Sequence, residues 1–146
     1  MCGPCRVCCR LPDIPELNKP INTWCRHIDL ESDDAPCRIY DHRPDVCRAF
    51  DCAWKQGLGG EHDRPDKLGV MWQIVTLGDG KPGLGVVEAR AGALDSPRVR
   101  RQLHDFEKKK PGRVIIRLAH EPRFSPVSVL IEGKPLTAEA EVRRRA

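Results

Sequence analysis

The alternation of apolar and polar residues predicts regular secondary structure mainly in the second half of this chain. Residues 69–76 and 84–90 are rich in Val and other apolar residues, and the segment 78–80 between them is a typical turn, so the two runs predict a β-hairpin. Residues 113–119 and 127–132 predict two further strands. The second half therefore predicts four strands.

A helix is predicted between the second and third of these strands. Ser96 is a good capping residue, and Pro97 suits the first helical position, where its missing N–H is not needed. The apolar positions fall on one helix face and are Val99, Leu103 and Phe106. The order strand, strand, helix, strand, strand predicts an α+β fold with a small antiparallel sheet and one packed helix.

The first 56 residues lack such a pattern and are predicted to be irregular. Five prolines lie between residues 12 and 44 and interrupt any long helix or strand. A segment of this kind needs a disulfide, a metal or a partner to be stable. The predicted organisation is a cysteine-rich, metal-bound N-terminal module at 1–56, a linker at 57–66, a β-β-α-β-β layer at 67–136 and a flexible tail at 137–146.

All eight cysteines of the 146-residue chain lie in the first module. They begin with a CxxCxxCC run, in which tight turns let thiolates converge on one centre. Thiolates are soft ligands that favour zinc and iron–sulfur clusters, and His27 and His42 are better suited to a surface or outer position. The predicted metal ligands are Cys2, Cys5, Cys8, Cys9, Cys25, Cys37, Cys47 and Cys52.

The adjacent pair Cys8 and Cys9 predicts more than one metal centre. Successive side chains diverge in an extended or turn backbone, so the two are assigned to different centres. Cys2, Cys5 and Cys8 would then face one centre, and Cys9 would join a second. Two mononuclear sites, two clusters, one of each, or one multinuclear site all fit the spacing. Zinc, iron and an iron–sulfur cluster all stay open as cofactors.

A disulfide framework is the alternative interpretation of eight cysteines, because small secreted domains have this composition. The sequence begins without the basic and apolar leader of a secreted protein, and thiols stay reduced inside cells. No apolar run reaches about 18 residues, the length of a membrane span. We therefore expect a cytoplasmic, metal-binding protein that does not enter a membrane.

Charge is distributed unevenly along the chain. Residues 1–56 carry 8 basic and 9 acidic groups, whereas residues 57–146 carry 17 basic and 12 acidic groups. The basic second half leaves nucleic-acid binding open, although few aromatic residues lie among its basic clusters. Arginines that follow five of the cysteines are interpreted as charge compensation for thiolates, and these are Arg6, Arg10, Arg26, Arg38 and Arg48.

The segment 37–52, CRIYDHRPDVCRAFDC, resembles the CIYxxRPxxCRxFxC signature of the CxxCxxCC-type family, which is described as a zinc- or iron-chelating domain. The opening cysteine run and the segment 25–27 are similar to the same family, so the resemblance covers residues 2–56. It implies an intracellular metal- or cluster-binding protein with no assigned reaction. Flagellin lysine methylases resemble the same domain, which keeps a protein-modifying enzyme open.

Three functions stay open from the sequence. The first is zinc or iron chelation by eight thiolates, in which a closed zinc site would order a surface for a protein partner. The second is an iron–sulfur oxidoreductase or a subunit of a protein-modifying enzyme. The third is a zinc-dependent nucleic-acid binder. No catalytic residue and no nucleotide or adenosyl-cofactor motif is recognisable, so enzymatic activity is undecided.

Overall fold

The computed structural model describes most of the first 109 residues and parts of three later strands. The described residues are 4–32, 36–76, 80, 82–109, 115–118, 126–131 and 134–135. The predicted ligand Cys2, most of the predicted turn at 78–80 and the predicted tail at 137–146 lie outside them. Within the described residues, no helix is both long enough and apolar enough to cross a membrane.

A five-stranded sheet and three helices are present among the described residues. Adjacent strands in the sheet are consecutive in the chain: β1 Val70–Thr76, β2 Pro82–Glu88, β3 Ile115–Leu118, β4 Pro126–Ile131 and β5 Lys134–Pro135. The helices are α1 Asp45–Ala49, α2 Pro65–Leu68 and α3 Pro97–Lys109. All four predicted strands and the predicted helix are confirmed, and β5 is an additional short strand.

The sheet is mixed rather than antiparallel, which corrects one part of the predicted fold class. Strands β2 and β3 are parallel, whereas β1–β2, β3–β4 and β4–β5 are antiparallel pairs. Parallel neighbours need a long crossover connection, and α3 lies in the connection between β2 and β3. The hydrophobic pattern locates these elements but does not set the direction in which β3 returns. The mixed α+β class itself is confirmed.

Helix α3 packs through the side chains that its periodicity predicts. Val99 is fully buried, Leu103 is nearly so, and Phe106 is partly buried against the same cluster. The helix begins after Ser96, whose Oγ accepts a hydrogen bond from the N–H of Val99. The other members of this apolar core are Ala53, Leu68, Val70, Trp72, Leu84, Val86, Ala93 and Leu94.

The cysteine-rich region is built from turns, as its lack of periodicity predicts. Besides α1, it contains three short 3-10 turns at Val7–Cys9, Pro15–Leu17 and Tyr40–His42. Two isolated bridges join its loops, one between Ile14 and Lys19 and one between Ile28 and Cys37. Local turns and isolated bridges, rather than extended ladders, therefore set the positions of the cysteines.

The cysteine-rich region packs directly on the sheet. Leu11 is 1% exposed and shares a second apolar cluster, here called the Leu11 cluster, with Met71 of β1 and Val87 of β2. The guanidinium of Arg10 donates a hydrogen bond to the carbonyl oxygen of Ala89, just after β2. Because separating the two regions would expose this cluster, each region stabilises the other.

Residues 57–66, predicted as a linker, contact the helix of the layer. The carboxylate of Asp63 is buried and accepts hydrogen bonds from Arg98 and Gln102 of α3, each at 2.7 Å. Gly60 also donates its N–H to this carboxylate at 2.9 Å. The segment is therefore a packed connection rather than an extended spacer.

Candidate metal centre

Six of the predicted ligands line one cavity in the cysteine-rich region. The cavity has a volume of about 380 Å³, and much of its remaining wall is apolar. We call it the thiol cavity, and its cysteines are Cys5, Cys8, Cys9, Cys25, Cys37 and Cys47. Cysteines that are far apart in the sequence thus border a common space.

Local backbone contacts place these cysteines. The 3-10 turn Val7–Cys9 carries the adjacent pair, and the N–H of Cys25 donates to the carbonyl oxygen of Cys9 at 3.0 Å. Cys37 lies in one of the two isolated bridges, and Cys47 lies in the short helix α1. A 3-10 turn, a five-residue helix, an isolated bridge and one backbone hydrogen bond thus hold five of the six cysteines, and small loop movements can change the distances between their sulfur atoms.

Arginines around the thiol cavity donate hydrogen bonds to backbone carbonyl groups of the loops. Arg6 donates to the carbonyl oxygens of Leu30, at 2.6 Å, and of Ser32. Arg48 donates to the carbonyl oxygen of Arg43 at 2.8 Å. Compensation of thiolate charge stays a prediction for these arginines. The contacts show a further role, in which they tie together the loops that carry the cysteines.

Aromatic side chains form part of the cavity wall. Tyr40 is 44% exposed, and the guanidinium carbon of Arg43 lies 3.7 Å from its ring centroid. Phe50 also lines the cavity, whereas Trp54 packs against the Leu11 cluster. Tyr40 and Phe50 are therefore the aromatic residues placed to limit the access of water to the thiols.

Several of the thiols are close enough to affect one another's protonation. Burial raises the pKa of Cys5 from its ordinary value of 9.0 to about 12. Burial also raises the pKa of Cys47, and negative charge at Cys25 and Cys37 acts in the same direction. A thiol must lose its proton to bind a metal, so rising pH favours metal binding at this cavity.

Cys8 and Cys9 border the same cavity, which differs from their predicted divergence. A hydrogen bond between the two thiols lowers the pKa of Cys9, and the same bond together with burial raises the pKa of Cys8. Neighbours in a 3-10 turn are about 120° apart around the helix axis, whereas neighbours in a strand are about 180° apart. The pair can therefore serve one centre or two, and its division between centres stays a prediction.

Cys52 and the two histidines lie outside the lining of the thiol cavity. Cys52 is buried in the Leu11 cluster and does not line the thiol cavity, and Cys2 lies outside the described residues. His27 and His42 do not line the cavity either. The seven described cysteines are free thiols, so no disulfide framework is formed among them.

Lys19 and Asp66 are charged residues near the cysteines that sequence reasoning did not identify. Lys19 lines the cavity and is 6% exposed, and its ammonium donates to three backbone carbonyl oxygens. Asp66 in α2 hydrogen-bonds with Cys5 and is held by Arg64 through contacts of 2.7 and 3.0 Å. Only the folded loops bring these residues beside the cysteines, and neither belongs to a motif that could have identified it.

The chemistry of the donor set fits a soft metal. The described residues of the lining include six thiols and no carboxylate or imidazole, and thiolates prefer zinc and iron–sulfur clusters to hard cations such as magnesium. In the described part of the chain, no three His, Cys, Asp or Glu side chains are arranged so that they could hold a metal ion. Metal binding would therefore draw the cavity loops closer together.

The basic residues of α3 are partly engaged in ion pairs. Arg98 lies 2.7 Å from Asp63, and Arg100 lies 3.3 Å from Asp95. The basic cluster at 143–145 lies outside the described residues. Pairing reduces the positive charge available to phosphates, so these contacts do not favour nucleic-acid binding.

Comparison with known proteins adds no assignment to this site. No family model, curated protein or solved structure matches the chain. The similarity of residues 37–52 to the CxxCxxCC-type signature therefore depends on the motif itself.

Proposed function

We propose that this chain binds zinc or iron through the thiolates of its cysteine-rich region. The observation that carries the proposal is the thiol cavity, because six cysteines from several segments of the chain border one space. The resemblance of residues 37–52 to a zinc- or iron-chelating domain supports the same chemistry. Thiolates that can converge from the wall of one cavity are suited to soft metals.

The division of the cysteines between centres stays open. The thiol of Cys8 hydrogen-bonds with Cys9 and, like Cys25 and Cys37, acts electrostatically on Cys47, so these cavity thiols form one interacting group.

Zinc and iron would give the protein different functions. Zinc in a closed four-thiolate site is structural, and it would order a surface for a protein partner. An iron–sulfur cluster would supply electron transfer for an oxidoreductase or a modifying enzyme.

The chemistry of the ligands also bears on where the protein works. Thiolate ligands must stay reduced, and the cytoplasm maintains reduced thiols. We therefore infer that the metal-bound protein works in the cytoplasm. A protein partner would either bind the surface that zinc orders or accept electrons from an iron–sulfur cluster.

The deciding experiment measures iron, zinc and acid-labile sulfide per chain in full-length protein purified without oxygen and without added metal. Iron with matching sulfide would support a cluster protein. Zinc at about two ions per chain, without sulfide, would support two closed structural sites. Absence of both metals, with the thiols oxidised in pairs, would contradict the proposal.

Serine variants make this measurement residue-specific. Cys5→Ser, Cys37→Ser and Cys47→Ser should each lower the bound metal, because each removes one thiolate from the cavity. Lys67→Met is the control, since Lys67 is exposed on α2 and does not line the cavity. Normal metal content in all three cysteine variants would contradict the proposed site. Loss of metal in Cys52→Ser would identify a ligand outside the cavity lining.

A further inference from the structure

One cationic side chain is buried in the wall of the thiol cavity. Lys19 is 6% exposed, although lysine is among the residues least often buried. Its ammonium donates to the carbonyl oxygens of Arg10 at 2.7 Å, of Pro12, and of Pro20 at 3.2 Å. Three carbonyl groups solvate the ammonium but do not cancel its charge, so a positive charge is held inside the cavity wall.

The carbonyl groups that Lys19 binds belong to the loop between the first cysteine run and Cys25. Backbone hydrogen bonds of 2.9 and 3.1 Å join Ile14 and Lys19, and the N–H of Cys25 closes the base of the loop on the carbonyl oxygen of Cys9. Asn18 adopts the left-handed backbone conformation, with φ 48°, and the chain reverses direction there, just before Lys19. The Lys19 side chain therefore fixes the loop that connects Cys9 with Cys25.

The ammonium also interacts electrostatically with the thiols. Burial lowers the pKa of Lys19, and negative charge at Cys25 and Cys9 acts in the opposite direction by favouring the ammonium. Lys55, which lines the same cavity, is 39% exposed and pairs with Asp51. Lys19 differs from it in being buried and in donating to neutral carbonyl groups rather than to a carboxylate.

We propose that Lys19 is a positioning residue for the metal centre, which fixes the loop between Cys9 and Cys25 and supplies a buried positive charge beside the bound thiolates. The inference rests on the proposed function. A divalent ion with four thiolates carries excess negative charge, and burial makes that charge costly unless a cation lies close by. Groups outside the ligand sphere commonly change metal affinity by about 10–100-fold.

The test is a cobalt(II) titration of metal-free, full-length protein, read from the thiolate-to-cobalt charge-transfer absorption. Lys19→Met removes both the donors and the charge, Lys19→Gln keeps N–H donors without the charge, and Lys19→Arg keeps both. We expect Lys19→Met to weaken cobalt affinity at least about tenfold, with the absorption at saturation unchanged. Lys19→Arg should bind more tightly than Lys19→Gln.

Lys67→Met is the matched control, because Lys67 is 40% exposed and pairs with Glu61 outside the cavity. Equal affinities of the wild type and Lys19→Met would overturn the inference, and so would equal affinities of Lys19→Gln and Lys19→Arg. If circular dichroism shows that Lys19→Met does not fold, the comparison of the Gln and Arg variants decides. Absence of the charge-transfer absorption in the wild type would instead contradict the proposed function, and the inference with it.

Discussion

The sheet-and-helix layer and the cysteine-rich region are stabilised in different ways. In the layer, Val70, Val86 and Val99 are fully buried, and the ladder between β1 and β2 pairs the backbone groups of these two strands. In the cysteine-rich region, side chains such as Arg6 and Lys19 donate to the carbonyl groups of loops. Apolar burial can therefore stabilise the layer without a ligand, whereas a metal that links cysteines has most to add in the loops.

The largest effect is expected from a substitution in the core of the layer. Leu103→Ala removes a side chain that is 7% exposed, and such large-to-small changes cost about 2–5 kcal/mol. Because Leu103 does not line the thiol cavity, the loss should be the same with and without bound metal. Chemical denaturation of wild type and variant in both conditions measures it.

Arg101→Ala is the control on the same helix, because Arg101 is exposed and its substitution should change stability by less than about 0.5 kcal/mol. A loss from Leu103→Ala that occurred only in metal-loaded protein would contradict the comparison, since the layer would then depend on the loops for its core.

The layer was largely predictable from the sequence because its elements bury residues at regular spacing. Val99 and Leu103 lie four residues apart on α3, and both are buried as the helical period requires. The direction of β3 was not predictable, because the same alternation fits a parallel or an antiparallel neighbour. It follows from the path of the α3 crossover, which is a property of the whole chain.

The candidate site was predictable in its chemistry but not in its arrangement. Spacing and residue type indicate soft-metal ligands, and six of the cysteines do border one cavity. The burial of Cys52 in the Leu11 cluster depends on the packing of loops against the sheet, which no local pattern encodes. The same is true of Lys19. In the sequence it is indistinguishable from a surface lysine, and only the folded loop buries it in the cavity wall.

A smaller effect is expected when the pH of metal-free protein is raised. Burial raises the pKa of Cys5 from 9.0 to about 12, so the folded state binds this proton more tightly than the unfolded state. The resulting stability is complete below pH 9.0 and is lost progressively as the pH rises towards 12. The free energy of unfolding, measured at several pH values below and above 9.0, gives the change of stability with pH.

Cys5→Ser is the control for this pH dependence, because serine does not titrate in that range. The wild type should lose stability more steeply than Cys5→Ser above pH 9.0, and equal slopes would contradict the burial of the thiol. Metal-loaded protein should behave differently from metal-free protein, since metal binding releases the thiol protons and becomes stronger as the pH rises.

The smallest effect is expected at the connection between the two regions. Asp63→Asn weakens the hydrogen bonds that Asp63 accepts from Arg98 and Gln102, and we expect a loss of about 1 kcal/mol because solvent screens the half-exposed Arg98. The bond from Arg98 holds the pKa of Asp63 below 3.8, so its stabilisation is present above that pH and is lost as the pH falls through the folded-state pKa. Denaturation at neutral and at acidic pH measures both.

Asp95→Asn is the matched control, because Asp95 also faces an arginine but both partners are well exposed. It should change stability by less than about 0.5 kcal/mol at neutral pH. Equal effects of Asp63→Asn and Asp95→Asn would mean that residues 57–66 act as a spacer after all. The Leu11 cluster and Arg10 would then carry the coupling between the two regions, and binding of metal in the loops would reach the layer through β1 and β2 rather than through α3.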